Sequence, residues 1–286
     1  LKKGRFLRGE RACLTSKHSK LKAVARPFER HLGLVVFEDP SIDTDELGTF
    51  SGEVERVGPP SDVVIRKAKL GAEKNGVRFG LATEGSFGPH PAIGWVAAHL
   101  EIAGFVDLRT GARITESVMS RRTNFASARL KTLGEEEARL FLTRARFPSH
   151  ALIVRPSEGG GEISKAIQDR DALERAIAKC AALSSDGLAL VETDMRAHLN
   201  PLRQGVIRAA ASRLALRLRM PCPKCDYPGF GMVRKESGLE CEDCGEPTRW
   251  VKALIYGCAA CHHEEPRVRE DHKTHAPAKA CGSCNP

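Results

Sequence analysis

Leu81-Ala82-Thr83-Glu84-Gly85-Ser86-Phe87-Gly88-Pro89-His90-Pro91 sets the frame for the rest of the chain. An apolar run over residues 79–82 reads as a buried strand. It then meets two glycines and two prolines around one carboxylate and one imidazole. Gly85 and Gly88 permit a sharp turn or close approach to a ligand, and Pro89 and Pro91 hold such a loop in one shape. An acid on a stiffened loop at a strand's carboxyl end suits a phosphate or metal site on an α/β sheet. The alternative is a tight surface turn on which Glu84 and His90 are solvated.

Upstream, residues 11–15 read as a first strand leading through Thr15, Lys17 and Lys20 into a helix that reaches residue 32. A helix amino end with a lysine can hold phosphate, and Pro27 should kink or restart this helix. A strand over 34–37 and a polar loop over 43–53 follow. The next helix has Ser61 as its N-cap, Asn75-Gly76 as its stop, and Arg66, Lys67 and Lys69 on its outer face. Downstream, residues 93–106 are extended and residues 107–111 turn them back as a hairpin. A helix opens at 134–137, a strand covers 151–154, a helix covers 166–183 and a strand covers 188–191. That strand runs into Glu192-Thr193-Asp194-Met195-Arg196-Ala197-His198-Leu199-Asn200-Pro201-Leu202-Arg203. So many charges between a strand and a helix either form one internal network or face a ligand.

The net charge of +9 favours a polyanionic partner, nucleotide or nucleic acid. No run is long enough to span a membrane and no signal-peptide pattern opens the chain, so the expected compartment is the cytoplasm. Residues 1–10 are read as a basic arm outside the fold.

Eight of the ten cysteines form four C-x-x-C pairs beyond residue 220. Without a secretion signal, such pairs argue for zinc rather than disulfides. Taken in sequence order, Cys222, Cys225, Cys241 and Cys244 make one four-thiolate site, and Cys258, Cys261, Cys281 and Cys284 the other; exchanged pairing is the alternative. Four sulfurs leave no open position, so both zinc ions are structural. Trp250, Tyr256, Arg249 and Lys252 suit a nucleic-acid surface, whereas a ribbon that only braces the main domain needs none.

In this order the pieces resemble the inosine/xanthosine triphosphatase superfamily, which hydrolyses non-canonical nucleoside triphosphates to monophosphate and pyrophosphate. Thr15 and Lys20 match its T-x-N-x-x-K loop, with Lys17 in the asparagine's place. Thr49-Phe50-Ser51-Gly52-Glu53 stands where the family has T-F-x-E-N, and Lys67-Ala68 follows. Glu84-Gly85-Ser86 matches the acid on a glycine turn, and Thr193, Arg196 and Arg203 the last corner. The likeness covers about residues 11–218, with an apparent insertion near 147–186. The whole chain also resembles a bacterial family, without an assigned activity, that joins such a region to C-terminal zinc ribbons.

The resemblance implies a mixed-sheet α/β nucleoside-triphosphate-pyrophosphatase-like domain over residues 11–219, followed by tandem zinc ribbons over 220–286. It implies Mg²⁺ held by Glu53 and Glu84, one of which orients the attacking water, with Lys20, Arg196 and Arg203 neutralising the phosphates. Asp194 and His198 would assist proton transfer or read the base. Thr15, Lys17, Ser86, His90, Thr193 and Asn200 would line the nucleotide. The competing reading is a non-catalytic module that binds nucleic acid or protein through the ribbons.

Overall fold

The computed structural model describes residues 6–17, 19–42, 58–269 and 271–285. Strand β1 (Arg11–Thr15) lies between two parallel partners, β2 (Val35–Glu38) and β3 (Phe79–His90). A strand enclosed on both faces carries apolar residues without alternation, and four of the five β1 residues are buried. Strands β4 (Ile93–Asp107) and β5 (Arg113–Ser120) continue the sheet antiparallel, giving the mixed order β2-β1-β3-β4-β5.

Helices α1 (Leu21–Leu32) and α5 (Pro201–Leu218) cover one face, where Phe28, Ile207 and Ala211 meet Leu14, Leu81 and Phe105. Helix α2 (Pro60–Lys74) covers the other, where Val64 and Ala68 meet Ala82, Ile102 and Val106. Leu81 and Ala82 therefore enter different cores, as the two-residue period of a strand requires. Each large side chain enclosed here contributes roughly 1.5–3 kcal/mol.

A second, antiparallel sheet has the order β6-β9-β7-β8. It comprises β6 (Ser127–Leu130), β7 (Leu152–Pro156), β8 (Ser164–Ile167) and β9 (Ala189–Thr193). Helices α3 (Glu136–Ala145) and α4 (Arg170–Leu183) close its core, with Phe141, Leu173 and Ile177 packing on Leu130, Leu152 and Val191. Beyond α5, strands β10 (Gly231–Ser237), β11 (Val251–Gly257) and β12 (Glu264–Arg267) make a small antiparallel sheet.

Several expectations are corrected. Residues 83–90 are strand, not loop: β3 continues through Gly85, Gly88 and Pro89 because β4 is long enough to pair with it throughout. β1 stops opposite Ala82, and among the described residues no strand continues beside β3 at Pro89, where a proline then costs no ladder bond on that side. Pro27 lies inside a continuous α1, which Gly33 ends in the left-handed conformation. Helix α2 begins two residues earlier than an N-cap at Ser61 would place it, with Pro59 as N-cap and Pro60 at the first position, where a missing N–H is harmless. Residues 164–167 belong to β8, and α4 starts only where Asp169 accepts from the Ala172 N–H at 2.8 Å. The stretch 147–186 supplies β7, β8 and α4 and is integral to the second sheet. Leu7 is buried and the Phe6 ring meets Tyr227 edge-on at 5.2 Å, so residues 6–10 belong to the fold. Among the described residues, no helix is long and apolar enough to cross a membrane.

Candidate functional site at the β1–β3 switch point, and two cysteine clusters

From β1 the chain passes over one sheet face through α1 to β2, then over the other through α2 to β3. The carboxyl ends of β1 and β3 thus border a topological switch point, the crevice where open α/β sheets bind ligands. β1 ends at Thr15, level with Ala82, while β3 runs on to His90. Lys20, at the amino end of α1, fills the edge left open. Its Nζ donates to the Thr83 carbonyl at 2.9 Å and to Thr83 Oγ1 at 3.0 Å. Burial, then the charge of Arg203, lowers its pKa to about 8, against the pull of Glu101 and Glu84.

A carboxylate stands on each face beside this lysine. On the α5 face Glu101 is 0 % exposed, its Oε2 lying 2.7 Å from His99 Nε2 and 3.4 Å from Arg203 Nε. Its Oε1 is 4.0 Å from Lys20 Nζ. Burial pushes its pKa up, but Arg203, the His99 hydrogen bond and Lys20 outweigh this and hold it well below the usual carboxylate range. Glu101 sits opposite Gly85, where a Cβ would stand 2.6 Å from both Glu101 Oε2 and Arg203 Nη2. Gly85 therefore serves close approach, not a turn. On the α2 face Glu84 pairs with Lys67 at 2.8 Å, both side chains nearly enclosed. Lys67 points inward, not onto the outer face expected of it. Thr15 Oγ1 is buried with no hydrogen-bond partner among the described residues, and Gly71 of α2 lies directly against it.

The structure thus brings together Thr15, Lys20, Glu84 and Arg203, and adds Lys67, His99 and Glu101. Two lysines, one arginine and two carboxylates at one crevice can hold an anion and, beside it, one proton-accepting group. Among the described residues, the only groupings able to hold a metal are cysteines. Glu53 lies outside the described residues. A groove of about 740 Å³ between the amino ends of α3 and α4 contains none of these groups.

The remaining expected site residues lie elsewhere. His90 caps the β3–β4 turn, its Nδ1 accepting from the Ala92 N–H at 3.1 Å. It is six residues from Glu84, ~20 Å along a strand. Ser86 faces the α2 side one step beyond Glu84, and Lys17 is exposed just past β1. Of the corner 192–203, Arg203 reaches the cluster. Asp194 is ion-paired with Arg196 and accepts from the backbone N–H groups of Arg196 and Ala166. Thr193 Oγ1 bonds to the Ala126 backbone. Asn200 caps α5 through the Arg203 N–H and donates to Asn124 at 2.9 Å. His198 is exposed on the 3-10 turn Ala197–Leu199. Asp194 therefore belongs to an internal network of this corner, while His198 lies at the surface. Glu101 and His99 escaped the sequence reading, although a carboxylate within the otherwise apolar run 93–106 is the signal that marks it.

The cysteines form two four-sulfur clusters with exchanged pairing: Cys222, Cys225, Cys258 and Cys261, then Cys241, Cys244, Cys281 and Cys284. The antiparallel β10–β11–β12 sheet returns the third knuckle to the first, which corrects the sequential assignment. Sulfur separations of 3.6–3.9 Å match ~3.8 Å between tetrahedral ligands with Zn–S near 2.3 Å. Both sets fit structural zinc. The first is part of the main core, since Cys222 and Cys258 pack with Leu218, Tyr227 and Phe230. Tyr227 also donates to Asp107 at 2.8 Å, and Asp107 takes both arms of Arg78. The proposed stacking rings are already engaged: Arg267 lies over Tyr256, and Arg269 and Lys273 over Trp250.

No curated protein and no solved structure matches the chain. Residues 67–286, from Lys67 through Glu84, Glu101 and Arg203 to the last cysteine pair, match the model of a domain of unknown function, DUF6671, and the chain belongs to that family.

Proposed function

We propose that the chain hydrolyses a nucleotide at its phosphate groups, in the crevice between β1 and β3. What carries this reading is Lys20 at the switch point, flanked by Glu84–Lys67 on one face and Glu101–Arg203 on the other. Phosphate oxygens entering at the β3 edge would take over the Lys20 ammonium and find a donor in Thr15 Oγ1. Lys67 would leave Glu84 for the incoming anion, freeing the carboxylate. Glu101, already held charged by Arg203 and His99, keeps those two groups in place.

Glu84, with Glu53, is the set proposed to hold Mg²⁺, which when bound would polarise the phosphoryl oxygens. In the structure Glu84 is committed to Lys67, so Glu84 is free for a cation only once an anion has drawn Lys67 away. The likeness to the inosine/xanthosine triphosphatases belongs to this same reading, and favours release of pyrophosphate from a nucleoside triphosphate.

The test is phosphate and pyrophosphate release from normal and deaminated nucleoside triphosphates with Mg²⁺, comparing wild type with Glu84→Gln. Loss of one such group costs ~2.7–4 kcal/mol in the transition state, a fall of about 10²–10³ in kcat. Absence of turnover by zinc-loaded wild type across the panel overturns the reading.

A further inference from the structure

Residues 85–100 contain no Asp, Glu, Lys or Arg, in a chain of which 28% is charged. They form most of the β3–β4 hairpin, and the hairpin outruns both of its neighbours. β1 ends opposite Ala82 and β5 ends opposite His99, so, among the described residues, 88–98 form a ribbon of two strands only. Such a ribbon is marginal in water by itself. Trp95 near its tip is 89 % exposed. At its base the Phe125 ring, 37 % exposed, stands 5.8 Å from Phe87 of β3. Exposed Arg121 and Arg122 come between β5 and Phe125. Aromatic faces interspersed with guanidinium groups are the arrangement that holds single-stranded nucleic acid.

Charge agrees. Residues 1–219 carry 36 basic and 26 acidic side chains, whereas residues 220–286 carry nine and ten. The excess that attracts a polyanion therefore resides in the body bearing this ribbon, and two zinc-bound four-thiolate sets make the C-terminal module more negative still. The ribbon is also continuous with the crevice. β3 carries Thr83 and Glu84 in the site and runs ~23 Å from Thr83 to His90, beyond the end of β1.

We propose that the β3–β4 ribbon docks single-stranded nucleic acid, with Trp95 and Phe125 stacking on bases and Arg121 and Arg122 meeting phosphates. The strand would then lead a nucleotide toward the crevice. That last step rests on the function proposed above; the docking does not.

The chain has two tryptophans, so Trp250→Phe leaves Trp95 as the only reporter. The zinc-loaded full chain carrying this change is titrated with mixed-sequence RNA and DNA single strands, with nucleoside triphosphates, and with phosphatidylserine-containing vesicles. The expected result is quenching by the oligonucleotides at low salt that weakens steeply as salt rises. In a parallel anisotropy assay, Trp95→Ala and Phe125→Ala should each weaken binding roughly 5- to 150-fold. Failure of folded protein to bind oligonucleotides overturns the proposal. So does binding indifferent to both aromatic substitutions, or a response to vesicles alone. Triphosphate turnover is read separately: its absence alongside oligonucleotide quenching removes the hydrolase reading and leaves the docking surface standing.

Discussion

Lys20 shows how much one residue can be asked to do at a strand edge. Its ammonium replaces the N–H groups that a longer β1 would have offered to Thr83, and it stands between two carboxylates on opposite faces of the sheet. Desolvation opposes its charge more than Glu101 and Glu84 support it, hence a pKa near 8 against 10.5 for a free lysine. The linkage follows from proton counts. Between pH 8 and 10.5 the unfolded chain holds this proton and the folded chain does not, so stability rises with pH across that window. The shift corresponds to on the order of 3 kcal/mol. Lys20→Met should therefore remove an upward slope in unfolding free energy between pH 8 and 10, measured by urea denaturation as the difference from wild type. Identical slopes in the two proteins would show that Lys20 is not desolvated in this way.

At the scale of elements, the strands and helices were legible where periodicity alone fixes them, and residues 11–15 and 93–107 stand almost where their apolar runs place them. The glycines and prolines of 85–91 misled because local chemistry was read without the partner strand. Gly85 makes room for Glu101 and Arg203, and that reason exists only once β4 lies opposite. The candidate site was half legible for the same cause. Thr15, Lys20 and Arg203 sit at ends of strands or helices and Glu84 follows the apolar run 79–82, but Lys67, His99 and Glu101 lie within elements whose inner faces emerge only on assembly. The junction of the second sheet with α5 rests on His150. It is 4 % exposed, and its Nε2 accepts from the Leu202 N–H at 3.3 Å. Ser149 Oγ donates to the Arg146 carbonyl, which leaves Nδ1 as the donor to that hydroxyl. Burial, then Arg146, lowers the pKa of His150 below 6.5. The neutral ring is thus the folded form, and its contribution is present above pH 6.5 and lost as pH falls below it. Thermal unfolding between pH 7.5 and 5 should show a decline that His150→Asn reduces; an unchanged decline would place the acid sensitivity elsewhere.

Over the whole molecule the two zinc sites are unequal, because only one of them shares the core of the α/β body. Cys222 and Cys258 are enclosed with Leu218 and Phe230, and the same knuckle is bolted to β4 through Tyr227 and Asp107. The second set is surrounded by its own short loops, with Cys241 bridging to Ala276 and Leu239 bonding to Trp250. A region this small gains most of its folding free energy from metal, so loss of the second ion should unfold little beyond those loops. Loss of the first opens the main core where α5 ends. Graded chelation should accordingly proceed in two steps. The first zinc released alters Trp250 emission while the far-ultraviolet circular dichroism of the body persists; the second brings its cooperative collapse. Cys281→Ser with Cys284→Ser should reproduce the first step and retain a melting transition, whereas Cys222→Ser with Cys225→Ser should abolish it. Because the pairing is exchanged, mutating the first and third knuckles must give the same collapse as each other, an equivalence that sequential pairing would instead assign to the first and second. Equal loss of structure from all four double variants would mean that the C-terminal region folds as one unit with the body.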